Sequence, residues 1–211
     1  MSEHLLVERE QGLLTLRMHR PDKKNALTRA MYSGMAEVLV QADQDKSVRA
    51  VLITGGDSCF TSGNDVADFI KAPPTGLNSE VFQFMQALFE FSKPVVAAVN
   101  GPAVGIGTTM LLHCDLVYVS RDATLKMPFV NLGLCPEYGS SLILPRLLGH
   151  ARAAELLLLG QSFTGEQAAA WGIANQALDS GAATLAKARE MALRFQQLAP
   201  AAVADSKRLM R

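Results

Sequence analysis

The stretch "LGLCPEYGSS" (132–141) sets one carboxylate, Glu137, between Pro136 and Gly139 and among Leu132, Leu134, Leu142 and Leu144. Desolvating a lone carboxylate is costly, so such a residue is solvated on a loop, paired with another group, or kept there for a task. Two further segments could carry chemistry. "CFTSGNDVADF" (59–69) follows an apolar run ending at Gly55 and makes a Ser-Gly-Asn-Asp turn into a short helix. Its exposed backbone N–H groups could hold an anion, or the turn could be a plain strand-to-helix connection capped by Asp65. "VNGPAVGIGTTMLLHCD" (99–115) runs from an apolar strand through Gly101, Gly105 and Gly107 into an apolar helix. Glycines admit a ligand close to the backbone, and a helix start presents N–H donors. The spacing matches neither a dinucleotide fingerprint nor a P-loop. Two or three N–H groups aimed at one oxygen fit better, with close helix–strand packing as the structural alternative.

Other chemistries lack their residues. Ser62 and Ser140 have no G-x-S-x-G context, and no His, Cys and Asp cluster has metal-site spacing. His113, beside Cys114 on an apolar helix face, reads as a hydrogen-bonded core residue, whereas His4, His19 and His150 read as surface. Cys59, Cys114 and Cys135 are odd in number, as expected of reduced core thiols. Twenty basic residues balance twenty acidic ones among 211, which argues against a nucleic-acid footprint or an anionic membrane surface. No apolar run reaches the ~18 residues of a membrane span, and the charged start "MSEHLLVERE" is unlike a signal peptide. A soluble, cytoplasmic location is the expectation.

Positioning these segments requires an alternating scaffold. "LLTLRMH" (13–19), "AVLITG" (50–55), "PVVAAVNG" (94–101) and "DLVYVS" (115–120) read as strands. The second and third are continuous apolar runs, as expected for strands covered on both faces. Met31, Met35, Val38, Leu39 and Ala42 mark one helix face within 29–42. Val81, Phe82, Met85, Leu88 and Phe89 mark another within 78–91, with Asn78 as its cap. "KAPPTGLN" (71–78) is a loop, and Thr164 with Gln167 spells a capping box on a helix closing at Gly172. The prediction is one α/β domain over 1–211, its second half mostly helical.

Five segments together resemble the crotonase superfamily, the enoyl-CoA hydratase/isomerase family. They are "HRPDKKNALT" (19–28), "FTSGNDV" (60–66), "KPVVAAVNGPAVGIGTTMLLHCDLVY" (93–118), "PFVNLGLCPEYGSSLILPRLLG" (128–149) and "TGEQAAAWGIAN" (164–175). The resemblance implies a spiral of ββα units over about 1–150 and a helical region over about 151–211. It also implies a homotrimer or dimer of trimers, and relatives typically carry further helices after the position equivalent to Arg211. The implied ligand is an acyl-CoA thioester, with no separate cofactor, since coenzyme A belongs to the substrate. The implied oxyanion donors are the N–H groups of Asn64 and Ile106, the latter where many relatives carry Gly. The segments that would embrace the CoA chain supply Lys24, Asn25, Ala26, Ser62, Gly63, Asn64, Asp65 and Val66, together with Gly105. Phe129, Leu132 and Leu134 would line the acyl pocket and raise the pKa of Glu137.

The resemblance also separates subfamilies. Where hydratases carry two glutamates, this chain has Thr109 and Phe129. Its carboxylate lies at Glu137, as in peroxisomal-type Δ3,Δ2-enoyl-CoA isomerases. The implied reaction moves the double bond of a 3-enoyl-CoA to the trans-2 position by a one-carboxylate proton shuttle. The alternatives are isomerisation of a ring-epoxide acyl-CoA, hydration with one glutamate, or acyl-CoA binding without catalysis.

Overall fold

The computed structural model describes residues 2–210. Strands β1 (Leu5–Glu10) and β2 (Leu13–Met18) form an antiparallel hairpin, and helix α1 (Arg29–Gln44) leads to β3 (Ala50–Thr54). A short α2 (Val66–Lys71) and a longer α3 (Glu80–Glu90) precede β4 (Val95–Val99). The two-residue β5 (Ala103–Val104) runs into α4 (Ile106–Thr109), and β6 (Leu116–Ser120) and β7 (Thr124–Lys126) follow. The remainder is α5 (Ser140–Leu148), α6 (His150–Leu159), β8 (Ser162–Thr164), α7 (Gly165–Ala170), β9 (Gln176–Leu178), α8 (Gly181–Arg194) and α9 (Pro200–Leu209).

A six-stranded sheet has the order β1-β2-β3-β4-β6-β9, parallel from β2 onward. A second sheet, β5-β7-β8, stands apart from it. The apolar runs of β3 and β4 are buried at every position, as expected. Their side chains divide by parity. Val51, Ile53, Val95, Ala97 and Val99 enter the main core, whereas Leu52, Val96 and Ala98 face Ala188 and Ala192 of α8. Covering both faces forces the continuous hydrophobicity read in the sequence.

Helix α1 buries Met31, Met35, Val38, Leu39 and Ala42 as its spacing requires, and the Thr28 hydroxyl caps it by accepting from Met31 N. Thr164 and Gln167 form the expected capping box. Three details differ. The N-cap of α3 is Ser79 rather than Asn78. The inner face of α3 includes Phe84, fully buried, while Phe82 and Phe89 are exposed. The second half also holds more strand than expected, because β7, β8 and β9 are only three residues each and too short to show a period.

Candidate active site

The two glycine-bearing turns are joined edge to edge. Val104 N donates to Thr61 O at 3.0 Å, and Thr61 N donates to Pro102 O at 3.1 Å. Gly63 has φ +89°, and a β-carbon there would sit 2.8 Å from Val104 O, so only glycine lets the turns approach this closely. On the far side of the first turn, Leu27 N donates to Gly63 O at 2.8 Å and Asp65 N donates to Leu27 O at 2.9 Å. In extended backbone the groups of successive residues point to opposite sides. With Gly63 O and Asp65 N committed to Leu27, the Asn64 N–H faces away from it. Ile106 is the first residue of α4, where a helix N–H has no internal acceptor. Among the described residues neither the Asn64 nor the Ile106 N–H donates a hydrogen bond within the chain.

Both residues line one cavity of about 530 Å³. Glu137 lines it too, with Phe69, Ile70, Val81, Phe82, Met85, Phe129, Leu132, Leu134 and Cys135. Glu137 is the one carboxylate among these lining residues. The Thr109 hydroxyl donates to its Oε1, while Oε2 is buried without a hydrogen-bond partner. Burial raises the pKa of Glu137 to about 7, and the Thr109 bond opposes that rise in part. An acid that titrates there can take up and release a proton near neutrality.

The Glu137 turn is held from behind. Tyr138 has φ +51°, an uncommon conformation for a bulky residue, and Gly139 follows at +70°. The Tyr138 hydroxyl donates to Met85 O at 2.6 Å, its ring stacks on His113 at 3.7 Å between centroids, and its carbonyl accepts from His113 Nε2 at 2.7 Å. His113 is therefore the hydrogen-bonded residue expected, and it braces the segment that carries the carboxylate.

An open groove of about 760 Å³ adjoins the cavity and shares Ser62, Asn64 and Val66 with it. Arg20, Lys23, Ala26, Asp65 and Lys71 also line it. Gly105, at φ +58°, borders the cavity, and the space where a β-carbon would project is open to 4 Å.

Several expectations need correction. Asn25 is buried, its Oδ1 accepting from Arg20 N and its Nδ2 donating to Cys59 O and Phe60 O, so this side chain braces the turn and is closed to a ligand. The Asp65 carboxylate is committed to Arg20 at 2.6 Å and to capping α2. Lys24 does not line the groove. Its carbonyl accepts from Ser62 N, and the groove's cations are Arg20, Lys23 and Lys71. Leu132 and Leu134 line the cavity but are 67% and 45% exposed, so the segment around Glu137 is less buried than its leucines suggest. Cys135 is exposed and lines the cavity, unlike a core thiol. In the sequence Thr109 stands out only for lacking a carboxylate, and its contact with Glu137, 28 residues away, has no signal there.

The family model described as "Enoyl-CoA hydratase/isomerase" matches residues 8–211. The chain belongs to the enoyl-CoA hydratase/isomerase family. It is similar to the 1,2-epoxyphenylacetyl-CoA isomerase of Escherichia coli K12, 38% identical over 85% of this chain and 71% of that protein. It is also similar to human enoyl-CoA delta isomerase 2, 37% identical over 99% of this chain, which spans about half (54%) of that protein. Among solved structures, Pseudomonas aeruginosa OdaA is 71% identical with a TM-score of 0.97, covering 99% of this chain and 85% of that one. As a member of this family, the chain is an enzyme of acyl-CoA chemistry.

Proposed function

We propose that this enzyme is a Δ3,Δ2-enoyl-CoA isomerase in which Glu137 alone shuttles the proton. The observation that carries the reading is a single carboxylate in an apolar cavity with two unengaged N–H groups. The acyl group occupies the cavity with its thioester oxygen accepting from Asn64 N–H and Ile106 N–H. The pantetheine and phosphates lie along the groove beside Lys23 and Lys71.

Glu137 as carboxylate takes a proton from C2 of a 3-enoyl-CoA. The electron pair delocalises over the double bond and the carbonyl, giving a dienolate whose oxygen charge the two N–H groups stabilise. Each such donor contributes roughly 10²–10³ in rate. Protonated Glu137 then delivers the same proton to C4, the double bond settles between C2 and C3, and the carboxylate is restored. One acid returning to its starting state suits isomerisation. Hydration needs a second group to activate water, and the positions that carry it in hydratases hold Thr109 and Phe129.

A second reading is isomerisation of a ring-epoxide acyl-CoA, favoured by the name of the Escherichia coli relative. The test is a parallel assay of trans- and cis-3-octenoyl-CoA isomerisation, crotonyl-CoA hydration and a phenylacetyl-type epoxide thioester. Turnover of the linear 3-enoyl substrates should exceed the other two by at least ~10². Preferential turnover of the epoxide would transfer the assignment to the second reading, and hydration as the fastest activity would overturn both.

A further inference from the structure

One fully buried polar group at the site has no part in the mechanism above. Tyr32 lies on α1, its residue 1% exposed and its ring packed against Phe84 at 5.6 Å between centroids. Its hydroxyl donates to Asn64 Oδ1. The ring does not line the acyl cavity. It faces a neighbouring cavity of about 340 Å³, which shares Asn64, Phe69, Pro74 and Val81 with the acyl cavity as a common wall. The phenol therefore touches Asn64 without lining the cavity that Glu137 lines.

We infer that Tyr32 is a positioning residue that sets the direction of the Asn64 N–H in the oxyanion hole. The inference rests on the proposed donor role of Asn64. The peptide groups around Asn64 are fixed through Leu27. The neighbours of Asn64 are tied as well, Gly63 N donating to Thr61 Oγ1 at 3.1 Å and the Asp65 carboxylate capping α2, but none of these bonds holds the Asn64 side chain. The Tyr32 hydroxyl holds the end of that side chain. With backbone and side chain both tied, the N–H direction is determined.

The tie is also suited to a charged site. Burial lifts the Tyr32 phenol well above its ordinary pKa, and the charge of Glu137 lifts it further, so the hydroxyl keeps its proton throughout the working range. It remains a donor whether Glu137 is ionised or neutral. A hydrogen-bond donor to a catalytic turn must be constant through the cycle if the oxyanion geometry is to be preorganised.

The test uses Tyr32→Phe, which keeps the ring against Phe84 and removes the hydroxyl alone. The probe is 4-(dimethylamino)cinnamoyl-CoA, a conjugated thioester whose absorption moves to the red when its carbonyl accepts strong hydrogen bonds. Wild type should bind it with a red shift. Tyr32→Phe should bind within about threefold of wild-type Kd and lose half or more of the shift. Its kcat on 3-octenoyl-CoA should fall roughly tenfold with little change in KM, a fraction of the cost of deleting a donor. Asn64→Leu removes the acceptor from the other side, leaving the buried hydroxyl without its partner, and should show the same spectral loss. It also decides the matter if Tyr32→Phe is poorly folded. In the Asn64→Leu background, adding Tyr32→Phe should cost nothing more, because the hydroxyl then has no partner through which to act. Wild-type shift and kcat in both variants, or additive losses in the double variant, would overturn the role of Tyr32 while leaving the proposed reaction standing. Absence of any shift in wild type would overturn the oxyanion hole itself, and this inference with it.

Discussion

Replacing Glu137 by Gln should remove most of the turnover and, with it, the loss of stability that wild type suffers as pH rises through the interval set by this carboxylate. In the native state burial places the Glu137 pKa at about 7, against an ordinary value of 4.5. The folded state thus binds this proton more tightly than the unfolded chain does. Below pH 4.5 the group is protonated in both states and contributes nothing. As pH rises through the interval the unfolded chain releases the proton first, so stability falls until the native carboxylate ionises near pH 7. At about 1.4 kcal/mol per pH unit, the displacement from 4.5 to about 7 corresponds to about 3 kcal/mol of lost stability in wild type. Gln is isosteric, keeps an oxygen for Thr109 and does not ionise. Its own burial changes stability by an amount that does not vary with pH, so the pH-dependent difference isolates the carboxylate. Urea titrations of both proteins from pH 4 to pH 9 should show curves that diverge by about 3 kcal/mol, or about 6–12 °C in thermal midpoint for a domain of this size. In parallel, wild-type kcat/KM should rise with pH to a plateau, with its midpoint near 7, and the variant should lose at least ~10² at every pH. Parallel stability curves would refute the reasoning, because they would mean that Glu137 ionises in the native protein as it does in water.

Two other perturbations test the surroundings. Thr109→Val removes the hydroxyl that holds Glu137 toward its ionised form. The midpoint of the acidic limb of kcat/KM should move above 7, lowering the rate at neutral pH several-fold, as a pH–rate profile would record. Lys207→Met addresses the anchoring of α9. Lys207 is buried, its Nζ 2.7 Å from Asp115 Oδ2 and 2.6 Å from Lys93 O. Leaving Asp115 without its cation should cost about 3 kcal/mol in urea unfolding, with kcat unchanged.

Some of this molecule is legible in its residues alone. The uninterrupted apolar runs of β3 and β4 demand cover on both faces, and the alternating parity of their side chains provides it. The spacing of Met31, Met35 and Leu39 determines the inner face of α1. Glu137 stands out because Pro136 and Gly139 force a turn at a charge flanked by leucines. These are short-range patterns, in which neighbours in sequence remain neighbours in space. What tertiary structure decides is of another kind. That Thr109 reaches Glu137, and Tyr32 reaches Asn64 across 32 residues, depends on how α1, α4 and two turns come to rest against one another. The same packing commits Asn25 and Asp65 to internal bonds and leaves Leu132 and Leu134 open to the cavity mouth. A polar side chain is equally able to serve a ligand or a backbone carbonyl, and its residue type does not say which. The choice follows from which partner the folded chain brings within hydrogen-bond distance, so the roles at this site are set by packing between segments distant in sequence.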